Sequence, residues 1–416
     1  MSVAELAKTE AEPAVTSTVA PLPMERLLAL DVFRGATIAG MLLVNDPGSW
    51  SAIYPPLEHA PWNGWTPTDL IFPFFLFIVG ITTHLSLGTR KASGAAQRDL
   101  VKKVIRRGLM IFFIGLALNA FPFFWWGKIA GNPDPSFLQR FAYRYEHLRY
   151  LGVLQRIGIV YLVAGLVSLR ATRKQIIITA VSILLGYWMI MMLVPVPGTG
   201  TIGAFVQTVP DKTLAAWSDR LILGTNHTWA ETKRWDPEGP LSTIPAVATA
   251  LLGILAGQWI TRKDKPLIER VAGLFGGGCL AMVAAELWHW QFPINKNLWT
   301  SSFVLFTAGF ACVALATCLW LIDVYHVRGW TQPFAVYGLN PLIAFAGSGL
   351  MARLIYSLIH VSYQGERIPL QAWTYRVAFQ PYFTDKFASL LWALCFVAFW
   401  YGILWVLYKR NIVVKV

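Results

Sequence analysis

The chain has 416 residues, 56% of them hydrophobic and only 14% charged. That balance is too apolar for a soluble globular domain or a disordered chain. The net charge of +13 does not point to nucleic acid, because the basic residues sit in separated loops and not on one face.

Residues 1–24, rich in Ala, Pro, Thr and Glu, read as a flexible tail. They show neither the basic start nor the cleavage site of a signal peptide, so the first span is expected to stay attached. A span takes about 20 apolar residues, and lipid leaves it no choice but helix. Residues 25–416 then form one polytopic domain of about ten spans. These lie near residues 28–44, 70–87, 109–124, 151–169, 176–194, 244–260, 267–287, 303–322, 334–359 and 387–408. Trp65, Trp125, Trp126, Trp299, Trp330 and Tyr408 fall at span ends, as in an interfacial aromatic belt. The expected fold class is an all-α integral membrane protein.

Basic residues in short loops mark the cytoplasmic side. The 88–108 connection holds Arg90, Lys91, Arg98, Lys102, Lys103, Arg106 and Arg107, while the loop before it, 47–66, has none. Both termini are therefore expected in the cytoplasm. The segments 125–150, 195–243 and 360–386 lie outside and are rich in Pro, Gly and Trp, which suits ordered caps. All four cysteines lie in spans without a CxxC spacing, and the seven histidines form no HxxxH pair, so no metal site is expected.

Ionisable groups within spans are costly and so are candidates for function. Asp31 and Arg34, three apart on the first span, share a face and can pair. Arg156 lies in the fourth span without a local partner; a buried guanidinium calls for a carboxylate or phosphate. Asn45 and Asn340 are polar points in apolar helices and serve equally well as interhelical contacts or site residues. The stretch from Glu58 to Leu70 brings His59, Asn63 and Asp69 to one membrane interface. Asp69 also stands where a carboxylate caps a helix. Asp236 and Glu238, on a Pro- and Gly-rich turn before the sixth span, either hold an ammonium group or cap the helix that follows.

An ordered series of motifs runs along the chain. Leu30-Asp31-Val32-Phe33-Arg34-Gly35, Val44-Asn45, His59-Ala60-Pro61-Trp62-Asn63-Gly64 and Asp69 with Phe72-Pro73 come first. Arg149 through Arg156, Asp236-Pro237-Glu238-Gly239, Asn295-Lys296-Asn297-Leu298-Trp299 and Gly338-Leu339-Asn340 follow. The series resembles the transmembrane heparan-α-glucosaminide N-acetyltransferase family, including its bacterial relatives of the NagX type.

That resemblance implies acetyl transfer from cytoplasmic acetyl-CoA to the amine of a glucosamine presented at the other face, with no metal. His59 matches the family's catalytic histidine and Asn45 its catalytic asparagine, with Asp69 placed to orient the imidazole. Arg34, Arg149, Gln155, Arg156 and Asn340 are the expected donor contacts, with the Lys102–Arg107 cluster as further basic partners. Asp236, Glu238 and Asn297 are the expected acceptor contacts. Residues ahead of Arg26 offer no counterpart to the large external domain of the lysosomal members, so a free or short amino sugar is the expected acceptor. The expected setting is a bacterial inner membrane. Two other readings stay open: a membrane O-acyltransferase of a surface glycan, and a secondary sugar transporter with a midplane site at Arg156 and the Asn340-Pro341 break. Whether the chain pairs as a homodimer is also open.

Overall fold

Backbone groups in lipid find partners only within their own segment, and the chain accordingly folds into helices. The computed structural model describes residues 27–414; the expected tail, 1–24, lies outside the described residues. The helices are α1 (Leu28–Asn45), α2 (Pro67–Ala92), α3 (Gln97–Ala120), α4 (Phe137–Glu146), α5 (Val153–Arg170) and α6 (Arg173–Leu193). Next come α7 (Gly203–Val206), α8 (Leu214–Ile222), α9 (Pro240–Ile260), α10 (Leu267–His289) and α11 (Ser301–Leu319). The last are α12 (Thr331–Leu339), α13 (Pro341–Arg353), α14 (Leu370–Ala378) and α15 (Asp385–Lys409).

Nine helices among the described residues are long and apolar enough to cross a membrane. The tenth expected span, 109–124, is the C-terminal part of α3, which ends at Ala120. The first half of that helix carries Arg98, Lys102, Lys103, Arg106 and Arg107, so only its second half is apolar. The expected span 334–359 is broken. Pro341 has no N–H to continue α12, so α13 starts afresh after Asn340.

Without a hydrophobic drive between helices in lipid, small residues set the close crossings. A Cβ on Gly80 of α2 would strike the Ala250 carbonyl of α9, and one on Gly253 would strike that of Phe77. Gly108 and Gly158 meet at the α3–α5 crossing, Gly278 and Gly309 at α10–α11, and Gly35 packs on α12 beside Gly338. Helices α2, α5, α9 and α11 bury Leu76, Ile157, Leu251 and Phe303 against one another, and α1 is as deeply enclosed. By contrast α6, α10 and α15 present Ile178, Leu280 and Phe399 outward, as lipid-facing helices do.

The three long segments expected outside are structured. Residues 125–150 contain α4, and 195–243 contain the hairpin β1–β2 (Pro195–Val196, Thr201–Ile202) with α7 and α8. Residues 360–386 contain β3–β4 (His360–Tyr363, Glu366–Pro369) and α14. The loop joining α1 to α2 is clipped to the one joining α10 to α11. Gly64 N–H donates to the Ile294 carbonyl (2.8 Å), and the Asn295 amide donates to Asn63 Oδ1 (3.0 Å). Gly64 takes φ +96°, a conformation that suits a residue without Cβ. That clip brings the 295–299 motif over His59.

Candidate active site

Asp69 is 1% exposed and anchors the site. Pro67 at the helix start and the Thr66–Asp69 capping box fix it at the first turn of α2. Its Oδ2 accepts from the backbone N–H of Ala60 (3.0 Å) and Thr66 (3.1 Å), while Oδ1 lies 2.7 Å from His59 Nδ1. Both readings of Asp69 therefore hold, as helix cap and as partner of the imidazole. A buried carboxylate can only accept, so Nδ1 carries the hydrogen and Nε2 is left with its lone pair. The His59 ring is half exposed, into a cavity of about 460 Å³.

Lys296 faces the same ring. Its Nζ is 3.0 Å from His59 Nδ1, 3.3 Å from Nε2 and 3.4 Å from Asp69 Oδ1. Because Nδ1 donates to Asp69, the ammonium has two acceptors here, the Asp69 carboxylate and the lone pair of His59 Nε2. Burial pulls the Lys296 pKa below the usual lysine range, although Asp69 and Glu238 favour its charge. The sequence gives Asn297 a role and leaves Lys296, in the same motif, without one; a lone lysine among asparagines between two apolar spans was the available signal.

Asn45, the last residue of α1, lines the His59 cavity and is exposed to it, with no hydrogen bond from its side chain among the described residues. Arg149, Glu238 and Asn297 line that cavity too. Arg149 binds two carboxylates. Nε and Nη2 reach Asp236 at 2.8 and 2.5 Å, and Nη2 also reaches Glu238 at 2.5 Å. Burial opposes the Arg149 charge, but Glu238 and Asp236 outweigh it and hold the guanidinium above the ordinary arginine range. Glu238, although buried, is held below the usual carboxylate range by Arg149, Arg156 and Lys296. The turn carrying the two acids is braced from behind by Asp219, which accepts from the Asp236 N–H (2.9 Å).

Other expected contacts lie elsewhere. Arg156 is fully buried, donates to Ser242 Oγ (2.5 Å) and stacks over Trp299 at 5.0 Å. It lines neither the His59 cavity nor the two described next, and the charges that act on it most are the carboxylates of Glu238 and Asp236. Asn340 bonds the C-terminal segment, donating to the Ile412 carbonyl (3.0 Å) and accepting from the Val414 N–H (2.8 Å). Arg34 pairs with Asp31 as expected (2.6 Å) and donates to the Gly338 carbonyl (2.7 Å).

At the opposite end of α1 a second cavity, about 620 Å³, is lined by Arg34, Arg90, Lys103 and Arg107 at its mouth. Ile38, Met41, Leu154 and Phe345 form its apolar wall. A third, about 280 Å³, is lined by Asn45, Asp46, Arg149, Gln155 and Arg353.

A family model described as "Heparan-alpha-glucosaminide N-acetyltransferase, catalytic" matches residues 26–274, more than half of the chain. The chain belongs to this family. Human heparan-alpha-glucosaminide N-acetyltransferase is 29% identical over 369 residues, which is 77% of this chain and 52% of the human protein. The mouse protein of the same name is 29% identical over 371 residues, 77% of this chain and 53% of its own length. The chain thus spans about half the length of the curated relatives it matches. As a member of the heparan-alpha-glucosaminide N-acetyltransferase family it carries His59, Asn45, Asp69, Arg149 and Glu238 within the matched segment. Lys296 and Asn297 lie beyond it and line the His59 cavity, and Asn340 also lies beyond it.

Proposed function

We propose that this protein is a membrane-embedded acetyltransferase that moves the acetyl group of cytoplasmic acetyl-CoA onto the amine of glucosamine or a related amino sugar at the periplasmic face of a bacterial inner membrane. One observation carries the reading: Met41 lines all three cavities, so the basic mouth and the His59 cavity share a wall through the bundle. From Arg34 to Asn45 is 11 residues of α1, roughly 16 Å at the rise of a helix. That distance suits a donor with an anionic head and a slender arm ending in a thioester.

The donor set fits such a molecule. Arg34, Arg90, Lys103 and Arg107 supply charge for phosphates, and Ile38, Met41 and Phe345 line the way inward for an uncharged chain. The basic 88–108 loop supports a cytoplasmic mouth, by the positive-inside rule.

At the other end, the acceptor's neutral amine attacks the thioester carbonyl. The C–N bond forms, the C–S bond breaks, and His59 Nε2 takes a proton from nitrogen and returns it to the leaving thiolate. Asp69 holds the ring in the tautomer this needs. The carbonyl oxygen becomes negative in the tetrahedral state, and the Asn45 amide and the Lys296 ammonium are the groups offered to it. With donor and acceptor reached from opposite faces, direct transfer in a ternary complex is the route we favour over an acetyl-histidine.

Purified protein in detergent, given labelled acetyl-CoA and a panel of amino sugars, should form N-acetyl product. Product on sugar hydroxyls alone would move the assignment to an O-acyltransferase; no transfer to any sugar would remove it. A single cysteine at position 59 should react with an impermeant thiol reagent in intact cells, and labelling only after lysis would reverse the orientation.

A further inference from the structure

Asp46 follows Asn45 directly, caps the C-terminus of α1 and is 6% exposed. Its carboxylate makes no hydrogen bond or ion pair among the described residues. Every other carboxylate lining the two cavities at this end of α1 is occupied: Asp69 by His59, Ala60 and Thr66, and Glu238 by Arg149. Beside Asp46, Gln155 is 1% exposed with its Nε2 buried and unpartnered, a second polar group without a protein partner in the same cavity. A buried polar atom left unpaired is costly, and one such atom beside a largely buried carboxylate open to the same cavity marks a place built for a polar ligand. The cavity, about 280 Å³, is near the lower size limit of ligand pockets and shares Met41, Asn45, Arg149 and Val153 with the His59 cavity.

We propose that this cavity is the acceptor-sugar subsite and that Asp46 binds the acceptor's ammonium and takes its first proton. The inference rests on the acetyltransferase reading and names the residue that recognises the substrate. Asp236 and Glu238, the acids the sequence suggests for this task, already neutralise Arg149, so a sugar ammonium would have to displace a guanidinium to reach them. Gln155 and Ser348 are then the partners for sugar hydroxyls.

The proton balance supports the assignment. An ammonium that becomes an amide gives up two protons, and His59 returns only one to the thiolate. Asp46 takes the other, which passes to solvent after each turnover. Burial pushes the Asp46 carboxyl up to about 7, against the lowering charge of Arg353, so it lies close to the range of an amine flanked by electron-withdrawing groups, such as an α-amino group at about 8. The other groups facing it are Arg149 and Tyr356; Arg353 itself donates to the Gly349 carbonyl at 2.9 Å.

The test compares binding of D-glucosamine and D-glucose, which differ by the ammonium, to the full-length protein in detergent at pH 7.5. Wild type should prefer glucosamine by about tenfold or more, the usual return on a charge-assisted hydrogen bond. Asp46→Asn should erase the preference and raise the acceptor KM with acetyl-CoA binding intact, while Asp46→Glu should keep it. A wild type that binds both sugars alike overturns the proposal without any variant, and so does an Asp46→Asn protein that still prefers glucosamine. Acetyl transfer by wild type, scored in parallel, separates the two readings. Transfer without an ammonium preference sinks only the Asp46 assignment, whereas an Asp46-dependent preference without transfer to any amine sinks the enzymatic reading and leaves the binding site.

Discussion

Arg149 grips Asp236 through two parallel hydrogen bonds, Nε to Oδ2 at 2.8 Å and Nη2 to Oδ1 at 2.5 Å, across 87 positions of sequence. The bond ties the entrance of α5 to the turn before α9 and sets one wall of the His59 cavity. Removing one member of a buried pair strands the other, typically at about 3–5 kcal/mol. Arg149→Gln should therefore lower the thermal midpoint clearly, with both the donor and the acceptor bound more weakly. If the variant unfolds at the wild-type temperature and loses only acetyl-CoA affinity, Arg149 is a donor contact and not a brace.

The same cluster gives a pH dependence. Glu238 has a folded pKa below its unfolded one, so its contribution is fully present above the ordinary glutamate range, about 4.3, and disappears as pH falls through the lower folded value. Stability measured from pH 7 downward should decline more gently in Glu238→Gln than in wild type over that acidic window. Identical slopes would show that Glu238 is not paired in solution.

The spans were legible in the sequence because lipid enforces one solution, and the α12–α13 break because Asn340 precedes Pro341, which lacks an N–H and disfavours helix at the residue before it. His59 and Asp69 were legible because ten residues of tight turn separate them and the helix start fixes one of them. Pairings set by tertiary structure were not. Arg149 reads as a cation in search of phosphate until α9 brings Asp236 to it, and Arg156 reads likewise until Ser242 and Trp299 enclose it. Asp46 carries no signal of its own in the sequence, since it stands between a span end and Pro47, and only the closing of α3, α5 and α13 around it makes it a buried acid.

On the donor side, the basic mouth and not Arg156 should govern affinity. Arg107→Gln and Arg34→Gln should each raise the acetyl-CoA Kd severalfold, with the wild-type affinity falling as salt rises, since charges at an open mouth are screened. Arg156→Gln should lower stability, because Ser242 and Trp299 lose their partner, and leave the acetyl-CoA Kd near wild type. Isothermal titration with the three variants decides it; a Kd raised mainly by Arg156→Gln would return that residue to the donor site.

Lys296 makes a distinct prediction. If its ammonium supports the oxyanion, Lys296→Met should lower kcat by roughly 10²–10³-fold, the usual effect of one such donor, while Lys296→Arg keeps part of the rate. Its pKa is depressed, so the proton is lost as pH rises into a range below that of ordinary lysine. The alkaline limb of kcat should accordingly lie below about 10.4 in wild type and move upward in Lys296→Arg. A limb that stays in place would assign it to another group.

The chemical step turns on His59 and Asn45. His59 is half exposed and packs little, so His59→Ala should fold and bind acetyl-CoA normally yet lose at least ~10²-fold in kcat, as expected for a positioned base. Asp69→Asn should fall in the same direction, because an amide can present its N–H to Nδ1 and stabilise the wrong tautomer, and it should also lose about 1 kcal/mol of helix-cap stability. Asn45→Ala should lower kcat by a factor near that of Lys296→Met, with the acetyl-CoA Kd unchanged, because both groups address the same oxygen. Incubation with labelled acetyl-CoA alone separates the two routes. Direct transfer predicts neither labelled protein nor released CoA until an amine is added, whereas an acetyl-histidine predicts one equivalent of each, abolished by His59→Ala. Near-normal turnover in His59→Ala would exclude both, since each route needs the His59 imidazole to take a proton or the acetyl group.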